Sequence, residues 1–157
     1  MANSNLSLYI RAPQVILALI NLGLAGYVAS YYNGMQRQAP GPVSFLIFAT
    51  SFSLLVIPYL EIVARRFPRV GHPYGKLALE AINTILFFSG FIALAAFLGQ
   101  LNFCNGPVCS AARALNVFAA LEFVAWAATT GLQAKAVFQG RDNGDIMAAP
   151  PSPMIQV

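Results

Sequence analysis

Charge is what this sequence has least of: only 9% of its 157 residues are Asp, Glu, Lys or Arg, against about a quarter in a typical soluble domain. That shortage excludes an ordinary water-facing surface over the whole fold. Histidine occurs once and cysteine twice, so no cluster at metal-ligand spacing can be written, and neither a metal nor another cofactor is expected. Nine Lys and Arg against five Asp and Glu give a net charge of +4, but the cations form no single stripe, which argues against a nucleic-acid partner. What the chain has instead is apolar surface, at 58% of residues.

That apolar content falls into four windows, and hydrocarbon about 30 Å thick needs about 20 apolar residues in a helix to cross it. They lie near residues 12–32, 43–63, 77–99 and 112–138. The breaks between them, "NGMQRQAPGP", "ARRFPRVGHPYGK" and "QLNFCNGPVCSA", carry Gly, Pro, charge and amide side chains. The expected fold is all-α, an integral-membrane four-helix bundle. A short N-terminal segment, residues 1–11, precedes it, and a tail over 140–157, polar and Pro-rich, is expected to be mobile. Ser152, before Pro153, is a weak candidate for phosphorylation.

Direction follows from the cations. With the N-terminus in the cytosol, the inner side holds Arg11, Arg65, Arg66, Arg69, Lys76, Lys135 and Arg141, and the outer side only Arg37 and Arg113. Short cytoplasmic loops carry such an excess of Lys and Arg, so both termini are expected inside, with the Asn5-Leu6-Ser7 sequon unglycosylated. Tyr27, Tyr31 and Tyr32 then fall at the outer interface, where aromatic belts form. A competing reading makes the first window a signal peptide cleaved after "VAS", but the run is long for such a segment, which typically has about 7–15 apolar residues.

The connections are too short for a receptor or catalytic domain. Cys104 and Cys109 both fall in the second outer loop as "CNGPVC", on the oxidising side where pairing is permitted. A small disulfide pinning the entry to the fourth span is expected there. A redox-active dithiol is the alternative, although that chemistry typically uses Cys-x-x-Cys. The inner loop gathers Arg65, Arg66, Arg69, Lys76 and His72. Its cations are a topology determinant and also candidate ligands for anionic headgroups, each contributing on the order of 1 kcal/mol against an acidic leaflet.

The most informative single residue is Glu122, set in "FAALEFVAW" inside the fourth window. An ionised carboxylate at such depth costs about 3 kcal/mol on insertion scales, so it is expected to face the bundle. Glu122, Trp126, Thr129 and Gln133 recur at helical spacing on one stripe. Polar positions on the other spans are candidates to meet it: Gln14 and Asn21 on the first; Thr50, Ser51 and Ser53 on the second; Glu80 and Asn83 on the third, with Lys76 as interfacial partner of Glu80. Small residues at four-residue spacing (Gly26 and Ser30, Ala95 and Gly99, Ala127 and Gly131) are expected to let helices approach. Two functions fit this stripe: hydrogen bonds that hold helices together, or a small proton-coupled transporter or channel using Glu122.

Particular stretches are similar to those of a known family. "RAPQVILALINLGLAGYVASYY", "LEAINTILFFSGFIALAAFLG" and "CSAARALNVFAALEFVAW" resemble the first, third and fourth spans of the MARVEL-domain family, fungal plasma-membrane type, over about residues 8–139. The resemblance implies a non-enzymatic membrane-organising protein of plasma-membrane domains or trafficking vesicles. It would act by lateral self-association and by contact with lipids and partner membrane proteins. Anionic headgroups are the expected lipid contact, with sterol and sphingolipid as further candidates. No catalytic residue is implied.

Overall fold

A computed structural model describes residues 2–66, 73–100 and 105–147, with side chains described for Tyr9 and for residues 11–62, 74–100 and 105–139. These residues form four α-helices: α1 (Ala2–Gly34), α2 (Gly41–Arg66), α3 (Pro73–Gln100) and α4 (Pro107–Met147). Each contains a stretch long and apolar enough to cross a membrane, over Arg11–Gly34, Gly41–Ile62, Tyr74–Gln100 and Pro107–Gln139. All four contain the expected windows.

The helices outrun the expected windows most at two places. α1 begins at Ala2 rather than near residue 12, and α4 continues to Met147, eight residues into the expected tail. The physical reason is the lack of a hard stop. Gly140 and Gly144 cost a helix only about 1 kcal/mol each, and no proline occurs after Pro107 until Pro150. Residues 148–157 and the Ser152 site lie outside the described residues, as do Cys104, Arg69 and His72.

Two connections show why the chain turns where it does. Past α1, the Arg37 amide donates to Tyr32 O at 3.1 Å and the Gln36 amide to Asn33 O at 3.0 Å. This closes the helix end with Gln36 in the left-handed region at φ 55°. At the start of α4, Gly106 has φ 119°, a conformation that suits glycine, and Pro107 supplies the first helical residue. Cys109 therefore sits in the first turn of α4 rather than in a loop.

Each helix packs on two neighbours, α1 on α2, α2 on α3, α3 on α4 and α4 back on α1. The bundle is a closed ring of four, with α1 diagonal to α3. Its apolar core includes Val28, Leu46, Phe87, Leu94, Leu115 and Trp126. Between α3 and α4, Phe88 and Phe91 meet Phe123 with ring centroids 5.3 and 5.6 Å apart. Outward faces carry Ile16, Leu55, Ile85, Val117, Val124 and Leu132, all exposed.

The close approach of helices is not where the small-residue spacing put it. Gly26, Ser30, Ala95, Gly99 and Gly131 are exposed and Ala127 is only half-buried. Added Cβ atoms at Gly26, Gly99 and Gly131 would meet nothing within 4 Å. Gly90 is the tight position: a Cβ there would lie 2.5 Å from Leu46 Cδ2 on α2. Small size permits contact but does not say which face of a helix is turned inward.

Candidate functional site: a polar interior in the bundle

Hydrocarbon cannot solvate a carboxylate or an amide, so the polar side chains of an amphiphobic bundle must turn inward and find one another. Gln14, Asn21, Thr50, Ser53, Glu80, Asn83 and Glu122 are fully buried, and Thr129 nearly so. All four helices contribute.

Toward the Arg11 end, an ion pair crosses the bundle diagonal. The Arg11 guanidinium of α1 pairs with Glu80 Oε1 of α3 and also donates to Gln14 Oε1 at 3.1 Å. Gln14 in turn donates to Thr129 Oγ1 of α4 at 3.5 Å. The guanidinium carbon lies 5.4 Å from the centre of the Trp126 ring, within range of a cation–π attraction. Arg11 thus joins three helices at once. Beside it, Thr84 donates to Glu80 O at 2.9 Å, so the 3.0 Å contact between Thr84 and Thr130 has Thr130 as donor.

Nearer the middle, Trp126 Nε1 donates to Glu122 Oε1 at 3.2 Å, one helical turn away, and Thr129 donates to Trp126 O at 3.0 Å. Thr50 returns its proton to Leu46 O at 2.7 Å and Asn83 its amide to Leu79 O at 3.1 Å. Among the described residues, several buried polar atoms have no hydrogen-bond partner: both amide atoms of Asn21, Ser53 Oγ, Glu122 Oε2, Glu80 Oε2, Asn83 Oδ1 and Asn116 Oδ1. Ser53 lies close to the Glu122 carboxyl without meeting hydrogen-bond geometry.

These positions refine the expectations. Glu122, Trp126, Thr129, Asn21, Ser53, Glu80 and Asn83 all point into the bundle. Ser51 does not: it is exposed and donates to Ile47 O of its own helix at 2.8 Å. Four residues past Thr129, Gln133 is only half-buried. Glu80 takes Arg11 as its ion-pair partner rather than Lys76, because an arginine on the diagonal helix can enter the buried side of α3 whereas half-buried Lys76 stays at its end. In the sequence Arg11 is only a topology cation, and Thr84, Thr130 and Gly90 carry no signal beyond their residue type. The side chains of Arg65 and Arg66, in the last turn of α2, lie outside the described set, as does Arg69 altogether. Among the described residues no cysteine is free.

A ring of four apolar helices with its polar groups turned inward is the architecture of a membrane domain, and a family model decides which. Residues 4–132 match the MARVEL family, a membrane-associating domain. The chain belongs to the MARVEL family. No curated protein and no solved structure matches it. The match covers Arg11, Gln14, Asn21, Ser53, Glu80, Asn83, Glu122, Trp126 and Thr129, so the whole polar interior lies inside the MARVEL domain.

Proposed function

We propose that this MARVEL protein is a non-enzymatic organiser of membranes, acting by lateral self-association and by contacts with lipids and partner membrane proteins. Its setting is the plasma membrane or trafficking vesicles, and both termini lie in the cytosol. One observation carries the reading. Every polar group brought together is turned into the bundle, while large apolar side chains cover the outward faces of all four helices. Such a molecule presents only its sides to its surroundings.

Self-association follows from those sides, and the tight ring keeps them presented. Arg65, Arg66, Arg69 and Lys76 gather anionic headgroups at the cytosolic connection. Cys104 and Cys109 form a disulfide that pins the start of α4; Cys109 having no free thiol supports this.

The decisive experiment counts protomers by single-molecule photobleaching of labelled full-length protein in bilayers at low protein density. Stable oligomers are the expected result; strictly monomeric spots would refute lateral self-association. Replacing Arg65, Arg66 and Arg69 with glutamine should weaken enrichment in vesicles containing anionic lipid. Equal partitioning of variant and parent would remove the headgroup role.

A further inference from the structure

The outward faces of the bundle end, on both sides, at residues that prefer the membrane interface, and helix geometry fixes the distance between those ends. A chain that crosses a membrane four times alternates direction, so α1 and α4 run antiparallel. The 3.5 Å contact of Gln14 with Thr129 sets the two helices level. Exposed Tyr9 lies five residues before Gln14, and exposed Lys135 lies six past Thr129. In the other direction, exposed Tyr31 lies seventeen residues past Gln14, and exposed Arg113 sixteen before Thr129. Both helices are therefore bracketed at the same two levels, to within one residue.

On α4 every exposed residue between Arg113 and Lys135 is apolar or glycine: Val117, Leu121, Val124, Ala128, Gly131 and Leu132. The third helix agrees. Thr84 meets Thr130 at 3.0 Å, which brings exposed Gln100 within one residue of the level of Arg113 and half-buried Lys76 within three of Lys135. Tyr59 of α2 and Tyr74 of α3 are exposed toward the Lys135 end as well. Tyrosine, lysine and arginine are the side chains that anchor membrane helices at the interface.

From Tyr9 to Tyr31, and from Arg113 to Lys135, the chain advances 22 residues, a rise of about 33 Å at about 1.5 Å per residue. A tilt of about 20°, average for membrane helices, trims that to about 31 Å. The endoplasmic reticulum offers hydrocarbon about 27 Å thick, and a sterol- and sphingolipid-rich plasma membrane about 32–33 Å. We propose that this apolar band is a thickness-selective surface, seated without distortion in hydrocarbon of about 31–33 Å. In a thinner bilayer the bundle tilts further or the lipid around it stretches. Protomers that gather share one stretched patch, so mismatch drives lateral association without any specific helix contact. The inference rests on the reading of this chain as a lateral organiser and gives that organiser its choice of bilayer.

The test places the full chain in phosphatidylcholine vesicles of single monounsaturated chain lengths, covering hydrocarbon of about 25 to 36 Å, and reads the thermal unfolding midpoint in each. The midpoint should be highest near about 31–33 Å. Tyr27→Asn with Val117→Asn should move that optimum. Both positions are exposed, lie within one residue of a common level, and receive a side chain too short to snorkel back to the headgroups. The band then covers 18 residues on each helix, so the optimum should fall by about 6 Å. A parent midpoint that is flat across the series, or highest at about 28 Å or less, overturns the proposal, as does an optimum that the double variant leaves in place. If the double variant fails to fold, judged by circular dichroism, the parent series decides alone. Photobleaching counts in the same vesicles separate the two readings: stable oligomers with a flat profile sink thickness selection only, and a clear optimum with monomers sinks self-association only.

Discussion

Replacing Arg11 with methionine should damage this protein more than replacing its partner, and the asymmetry follows from where the two charges sit. Glu80 is fully buried, whereas the Arg11 side chain keeps 12% of its surface exposed. With Arg11→Met, the Glu80 carboxylate loses the one ion pair it makes among the described residues, where its second oxygen already lacks a partner. Removing one member of a buried pair costs about 3–5 kcal/mol. With Glu80→Gln, the guanidinium keeps Gln14 and the Trp126 face and can snorkel toward the headgroups, so a cost nearer 1–2 kcal/mol is expected, about that of one unsatisfied group. Replacing both residues with methionine should recover most of the loss, since apolar substitutes for a buried pair are often close to neutral. With Glu80→Met as the second single variant, at a cost like that of Glu80→Gln, the coupling energy should then be at least about 3 kcal/mol, against about 0.6 kcal/mol for an average interhelical hydrogen bond in a membrane protein. The assay is reversible unfolding by SDS in mixed micelles, followed by circular dichroism and by fluorescence of Trp126, the only tryptophan in the chain. The reasoning fails if Arg11→Met costs no more than Glu80→Gln, or if the coupling energy lies within error of zero.

Three further outcomes are expected. Gly90→Ala should destabilise by about 1–3 kcal/mol through overpacking, because its methyl would meet Leu46 at 2.5 Å; the same unfolding assay should show partial relief on adding Leu46→Val. Gln36→Gly should leave stability unchanged or raise it by up to about 1 kcal/mol, as a left-handed residue loses its Cβ penalty, whereas Gln36→Val should lower it; thermal unfolding in detergent separates them. Glu122→Gln should cost about 1 kcal/mol, since an amide oxygen can still accept from Trp126, while Glu122→Lys should cost about 3 kcal/mol or more and reduce the yield of monodisperse protein on gel filtration.

Much of the fold is legible along the chain because the bilayer imposes a length on each apolar run and proline, glycine and charge interrupt them. The inward stripe of α4 is legible for a related reason: Glu122, Trp126 and Thr129 recur at helical spacing, and a carboxylate tolerates only one direction. Ser51 shows the limit. It sits between Thr50 and Ser53 in sequence, yet its hydroxyl can close a bond to Ile47 O, so facing outward leaves it satisfied and periodicity alone cannot choose its side.

Sequence by itself determined that four helices form, where the apolar stretch of each lies, and that their polar residues are too costly to show to lipid. Only the tertiary structure decided the order of neighbours around the ring, and with it that Arg11 reaches Glu80 across the diagonal and that Gly90 rather than the outward glycines takes the close contact. The physical reason is that helix formation and membrane burial are set by local composition, whereas partner choice depends on how helices rotate about their axes. That rotation is fixed only when side chains from all four meet.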